Sequence, residues 1–402
     1  MERMRIAHWM VQGGKNTLLA LVSLILTGLL LEGGLQLTSL RRQYLPPLEP
    51  QGYVRADTAI GYDIAPNVPP RRLSFTDGVY EVWSNEWGCF DIPFQQATSS
   101  IYLTGDSFTW GWVPLEKNWG KGIEALLHVR ALTCGVNGYG TRQQLVKTSR
   151  HLAVLPQKPS LLIVGYLGAN DVDDDVLFPH YSVYDGYRIP AQKRCSQALV
   201  FPYAETAPAT CQIPPPSLKA SQRVQIFLGA RSVLYNVARQ RLHIDQIVYR
   251  LKRVLTDPLR SVEGVASEAP AATTTVPGLV FKRHLESMQG FKLLAESENI
   301  PLLIVLIPSK TEVRTRLPDQ DRPNERMRQW LEEAHIPYVD LLPSFQAQEK
   351  LPEGSLYWKR DGHWNERGNH LASLEVAKYI TEHQLLPVMT NINNEYQDYR
   401  DN

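Results

Sequence analysis

The chain has 402 residues, which suits one large domain or two ordinary ones, and 43% of them are hydrophobic, enough for a sizeable core. Its 42 Lys and Arg are balanced by 41 Asp and Glu with no dominant basic run, which argues against nucleic acid as a partner. The four cysteines, Cys89, Cys134, Cys195 and Cys211, form no CxxC pair, so no metal or redox centre is expected, and no cofactor.

Residues 1–16 form a short tail containing Arg3, Arg5 and Lys15. Thr17 to Leu37 then reads TLLALVSLILTGLLLEGGLQL, 21 residues with one charge, Glu32. About 20 apolar residues span a bilayer as a helix. A cleavable signal would end in a small-x-small site, and none is clear before Arg41, so an uncleaved anchor is favoured. Arg41 and Arg42 nearly balance the basic residues ahead of the span, so charge alone does not orient it.

Residues 38–70 carry Pro46, Pro47, Pro50, Pro66, Pro69 and Pro70 and are expected to be a stalk. A hairpin with its turn at Asp77-Gly78 follows in 71–95. Short apolar runs then alternate with helical stretches. Strands are predicted at Ile101–Thr104, Ala131–Val136, Leu161–Tyr166, Leu302–Ile307 and Tyr338–Leu341, and helices around 115–129, 142–155, 279–298, 324–335 and 366–382. That alternation predicts a parallel sheet with helices on both faces. The domain is expected to span 71–390, before a polar tail at 391–402, and to be interrupted by an insert at 172–278 of the kind that shapes a substrate site or acts as a lid. The insert's helical part, 221–256, carries seven Arg and Lys, expected on a solvated face rather than a membrane surface. Cys195 and Cys211 bracket a Pro-rich stretch and are expected to form a disulfide, whereas Cys134 is expected to be a buried free thiol.

Ser107 follows the first strand in IYLTGDSFTWGW, on the carboxyl rim where open parallel sheets bind ligands. The tripeptide Gly105-Asp106-Ser107 alone also fits a turn. Three later segments fall on the same rim: CGVNGYGT at 134–141, GYLGAND at 165–171 and DGHWNERGNH at 361–370. Together they supply what acyl transfer needs: Ser107 as nucleophile, His363 as base, Asp361 to orient the base, and the Ser107 N–H, Gly138 N–H and Asn170 amide as oxyanion donors. Trp110, Trp112 and Trp364 lie close to these residues in sequence and are expected at the rim of the site.

The blocks Gly105-Asp106-Ser107, Gly138, Gly168-Ala169-Asn170-Asp171 and Asp361/His363 resemble the SGNH/GDSL hydrolase superfamily. The resemblance implies a flavodoxin-like α/β/α sandwich acting on acyl esters. Most esterases of that family place two residues between the acid and the histidine; this chain places one. Its Asp361-Gly362-His363-Trp364, with Ile307 to Lys310 (IPSK), resembles the branch that includes bacterial polysaccharide O-acetyltransferases of the alginate type. Thr133 stands where the second block often has asparagine. The implied protein is a serine esterase on acylated glycans or small acyl esters, held in a bacterial inner membrane by one helix with its catalytic domain in the periplasm. An O-acyltransferase working with polysaccharide-assembly partners is the alternative. A non-catalytic glycan-binding or assembly protein of the same fold is a third reading, against which the complete Ser-Asn-Asp-His set weighs.

Overall fold

The computed structural model describes residues 2–45, 49–94, 100–176, 178–191, 213, 215–242, 278–315, 324–350 and 354–386. The chain divides into two compact units, one from Met1–Leu48, Ser74–Thr76 and Ser217–Pro270, the other from Glu49–Leu73, Asp77–Pro216 and Ala271–Asn402.

The first unit is helical: α1 (Glu2–Gln36), α2 (Leu40–Tyr44), α7 (Ala220–Arg231) and α8 (Val233–Leu242). Within α1, Lys15–Gln36 is long and apolar enough to cross a membrane, and none of it is buried against protein.

The second unit begins with the hairpins β1–β2 (Val54–Asp57, Gly61–Ile64) and β3–β4 (Arg71–Ser74, Val79–Val82). It continues through β5 (Ser100–Gly105), α3 (Ser107–Trp110), α4 (Trp119–Leu127), β6 (Arg130–Thr133), α5 (Thr141–Val154), β7 (Leu161–Tyr166) and α6 (Asp171–Val176). After the hairpin β8–β9 (Tyr181–Tyr184, Tyr187–Pro190) come α9 (Gly278–Glu298), β10 (Leu302–Leu306), α10 (Lys310–Arg314), α11 (Glu325–Glu333), β11 (Tyr338–Asp340), α12 (Leu342–Gln348) and α13 (Glu366–Glu382).

The five predicted strands form one parallel sheet in the order β11-β10-β7-β5-β6. Its strands are nearly continuous apolar runs, as burial on both faces requires. Ile101, Leu103, Leu161, Ile163, Leu303 and Val305 pack with α4 and α13 residues such as Ile123, Leu371 and Val376. The alternate residues Tyr102, Leu132, Leu162, Val164, Ile304 and Leu306 pack with Leu145, Phe291 and Leu331 of α5, α9 and α11. Because side chains alternate along a strand, each strand supplies both layers. The result is the α/β/α sandwich in flavodoxin-like strand order, whose switch point lies between β5 and β7.

Two expectations need correction. Residues 49–70 are no stalk: β1 and β2 pair over Val54–Asp57 and Gly61–Ile64, and Tyr53, Ile60, Tyr62 and Ile64 are buried. The insert hairpin packs on them, with Tyr62 edge-on to Tyr181 at 6.1 Å and the Gly52 N–H donating to Gly186 O at 2.9 Å. The prolines interrupt long elements but leave room for four-residue strands. Cys134 is not a free thiol but is bonded to Cys89, with the two Cα atoms 4.5 Å apart. Cys89 reaches it from an irregular loop that Asn85 folds by accepting the Trp87 and Cys89 N–H groups, a placement no sequence spacing announces. Cys195, Cys211 and the 391–402 tail lie outside the described residues.

The Cys89–Cys134 bridge closes a loop over a sequence separation of 45. On loop-closure entropy, Cys89→Ala/Cys134→Ala should lose about 4 kcal/mol of stability in denaturant unfolding. A loss below about 1 kcal/mol would mean that the bridge adds little to what packing already fixes.

Candidate active site

Strand β5 ends at Gly105, and the chain turns at once into α3. A Cβ on Gly105 would overlap Thr109 Oγ1 and Gly165 O, so only glycine lets the turn pack against the neighbouring strand. Asp106 caps α3 by accepting the Phe108 N–H at 2.9 Å. Ser107 is the first residue of that helix, and N–H groups at such a start have no intrahelical acceptor. Its place just beyond β5 is the switch-point crevice.

The last block comes from an irregular loop rather than a strand. His363 Nε2 lies 2.8 Å from Ser107 Oγ, and His363 Nδ1 lies 2.5 Å from Asp361 Oδ1. A carboxylate only accepts, so Nδ1 carries the proton and Nε2 is left to accept from the serine hydroxyl. One intervening residue suffices because the loop curls: Asp361 Oδ1 also accepts the His363 N–H at 2.8 Å. Burial acts to raise the Asp361 carboxyl, but the hydrogen bond and charge of His363, with the Lys310 ammonium, outweigh it and hold it below the usual carboxyl range.

Charged side chains grip this loop from two directions. Asp77 Oδ2 accepts the Arg360 and Asp361 N–H groups at 3.0 and 2.8 Å. Lys310 Nζ donates to the carbonyls of Trp358, Lys359 and Asp361 at 2.5, 3.2 and 3.2 Å. Sequence reasoning passed over Asp77 because an Asp-Gly turn already accounts for it. Lys310 was visible only as the end of IPSK, with no indication of what it holds.

Gly138 has φ +79°, and a Cβ there would come 2.6 Å from Arg188 Nη1. Asn170 Nδ2 lies 3.5 Å from Asp106 Oδ2. Asp106 and Asp171 are fully buried here. Burial pushes the Asp171 carboxyl well up, and the neighbouring Asp106 charge adds to it.

The three tryptophans are not rim residues. Trp110 is 0% and Trp364 1% exposed; Trp110 Nε1 donates to Tyr53 OH at 3.0 Å, and Trp364 packs on Phe345. Trp112 is 3% exposed and lies beneath the His363 ring, centroid to centroid 5.4 Å, while Phe108 meets the same ring at 4.8 Å. Large aromatic rings contribute more area to a core than to an edge, and here Trp112, with Phe108, borders the imidazole. Among the described residues, Cys89, Cys134 and His151 bring ligand-type atoms within 4.8 Å of one another, but the disulfide takes both sulfurs.

The GDSL-like lipase/acylhydrolase family model matches residues 103–371. No curated protein sequence matches the chain. Among solved structures, a lipolytic G-D-S-L protein from Veillonella parvula is similar at 14% identity, covering 71% of this chain and 99% of that one, with a TM-score of 0.35. A G-D-S-L protein from Desulfitobacterium hafniense is similar at 14% identity, 70% and 99% coverage and TM-score 0.36. An acetylxylan esterase from Geobacillus stearothermophilus is similar at 11% identity, 71% and 95% coverage and TM-score 0.34.

If Asp77 and Lys310 hold the loop, Asp77→Ala and Lys310→Met should each broaden or remove the low-field proton resonance of the His363–Asp361 hydrogen bond. The melting temperature should change little, because both side chains act at the surface of the fold. Persistence of the resonance in both variants would mean that the loop holds itself.

Proposed function

The chain belongs to the GDSL-like lipase/acylhydrolase family, and from that premise we propose that it cleaves O-acyl esters of a glycan, with acetyl the favoured group, through a Ser107 acyl-enzyme. The observation that carries the reading is the single imidazole within 2.8 Å of Ser107 Oγ and 2.5 Å of Asp361 Oδ1. Serine is a weak nucleophile until an adjacent base takes its proton, and the base needs an acid to fix its tautomer.

Ser107 Oγ attacks the ester carbonyl carbon as its proton passes to His363 Nε2. The carbonyl oxygen becomes an oxyanion facing the N–H groups of Ser107 and Gly138 and the Asn170 amide. Collapse breaks the carbon–oxygen bond to the sugar, and His363 returns its proton to the departing hydroxyl. Water then attacks the acyl-enzyme with His363 again as base, releasing the carboxylic acid and restoring Ser107. Asp361 holds Nδ1–H throughout and stabilises the transient imidazolium.

The acyl-enzyme serves equally for transfer, with a sugar hydroxyl replacing water in the second step. The feature in favour is Asp361-Gly362-His363-Trp364, which resembles the O-acetyltransferase branch. Incubating the enzyme with p-nitrophenyl acetate and an unacylated glycan separates the two: free acetate indicates hydrolysis, and acetylated glycan indicates transfer. A non-catalytic glycan-binding protein would yield neither.

The same reading places the catalytic unit outside the cytoplasm, anchored by the span Lys15–Gln36. In support, apolar side chains of the span such as Leu18, Leu24, Ile25 and Leu30 are exposed, and a buried disulfide belongs to an oxidising compartment.

Ser107→Ala and His363→Ala should each abolish ester hydrolysis while leaving the fold intact, and the double variant should be scarcely worse than either, since the two act in one step. Asn170→Ala should cost about 100- to 1,000-fold in kcat, as expected for one oxyanion donor. Asp361→Asn should lower kcat by up to about 10,000-fold by favouring the wrong tautomer. Full activity in Ser107→Ala would return Gly105-Asp106-Ser107 to an ordinary turn.

A further inference from the structure

The helices of the first unit raise a question that ester chemistry leaves open. Helix α7 is 12 residues long and contains Val224, Ile226, Phe227 and Leu228, yet none of its side chains is buried. Val224 is 56% and Phe227 55% exposed, and their spacing of three puts them on one face. Arg223 and Arg231 stand four residues before and after Phe227 on the same side of the helix, so these apolar side chains are flanked by basic ones.

The contacts at the α7–α8 junction supply the answer. Glu32 is the only acid in the candidate span Lys15–Gln36. Its carboxylate accepts from Ser232 Oγ at 2.8 Å and from the N–H groups of Val233 and Leu234, each at 2.9 Å, at the start of α8. Gln36 Nε2 donates to Arg231 O at 2.7 Å, and Arg241 Nε donates to Tyr44 OH at 2.9 Å. The last turn of the span and the start of α8 therefore satisfy each other. A carboxylate near a bilayer needs such partners, and an open helix start suits an anion. Phe227 lies four residues before Arg231, so at most about 6 Å of helix separates it from the level of Gln36. That distance is within the headgroup layer, about 5–7 Å thick on each side of the hydrocarbon.

Charge points the same way. Between residues 217 and 242 stand Lys219, Arg223, Arg231, Arg239 and Arg241, with no Asp or Glu. Arg231 lies over the Phe227 ring at 4.5 Å, an arrangement in which the ring can enter an apolar layer while the guanidinium stays at the headgroups.

We propose that α7 and α8 form a membrane-interface element: Glu32 fixes α8 to the end of the span, and α7 lowers Val224 and Phe227 into the headgroup–acyl boundary of the same bilayer, with its basic residues facing anionic phospholipid headgroups. This rests on the anchor reading above. The insert thereby adds a second membrane contact to the single span.

The test uses the full-length chain in vesicles of phosphatidylethanolamine and phosphatidylglycerol carrying a radiolabelled phospholipid. The photocrosslinker p-benzoylphenylalanine replaces Phe227, or Leu24 in the span, or Glu333 on the exposed surface of the catalytic unit. Lipid adducts are expected at 227 and 24 and not at 333. The yield at 227 should fall severalfold in Glu32→Leu, while the yield at 24 should stay unchanged. Adducts at 24 with none at 227, or an unchanged yield at 227 in Glu32→Leu, overturn the proposal and leave the anchor standing. Absence of adducts at 24 overturns the anchor reading, and this proposal with it.

Discussion

One imidazole has to reach two partners at once, and much of the catalytic unit is arranged around that demand. His363 meets Ser107 Oγ at 2.8 Å and Asp361 Oδ1 at 2.5 Å, although 256 residues separate the histidine from the serine. The serine is fixed by the sheet, because β5 ends at Gly105 and α3 begins two residues later. The histidine belongs to no strand. Its loop must therefore be held by contacts of its own, and a misplacement of about 1 Å in such a site can cost 100-fold in rate.

The holding contacts are polar and come from outside the loop. Asp77 takes its N–H groups, Lys310 takes its carbonyls, and Tyr357 OH donates to Pro308 O at 2.8 Å. Asn365 then ends the irregular stretch by capping α13 through the Arg367 and Gly368 N–H groups. A loop of this kind leaves many backbone groups without ladder partners, and charged side chains satisfy them at modest cost near the surface. Phe108 and Trp112 complete the arrangement by packing against the ring, with centroids 4.8 and 5.4 Å from its own. Buried aromatic walls, rather than an exposed aromatic rim, border the imidazole.

The first unit follows a different physical rule. Its α1 exposes Leu18, Leu24, Ile25 and Leu30, and its α7 exposes Val224 and Phe227. Its internal contacts combine the polar groups of Glu32, Gln36 and Tyr44 with the buried Val233 and Leu218. A protein that buried its apolar side chains against itself would show the opposite distribution.

Local signals in the chain were sufficient for the sheet and for the chemistry. Five apolar strands, the glycine at the end of β5 and the order of the Ser107, Gly138, Asn170 and Asp361/His363 blocks all depend on neighbours within a few residues, so periodicity and turn chemistry expose them. The remaining features depend on partners far away in sequence. The β1–β2 hairpin lay hidden among prolines because its strands are four residues long and are buried only once β8–β9 covers them. Cys134 became half of a disulfide because a loop brought Cys89 to it, not because of spacing. Trp110, Trp112 and Trp364 lay close to the reacting residues in sequence, but packing against residues such as Tyr53, Phe108 and Phe345 buried them instead of leaving them at a rim. Residue type and local period determined which groups reach the carboxyl end of the sheet; only the closed fold decided what grips the histidine loop, since those contacts exist nowhere along the unfolded chain.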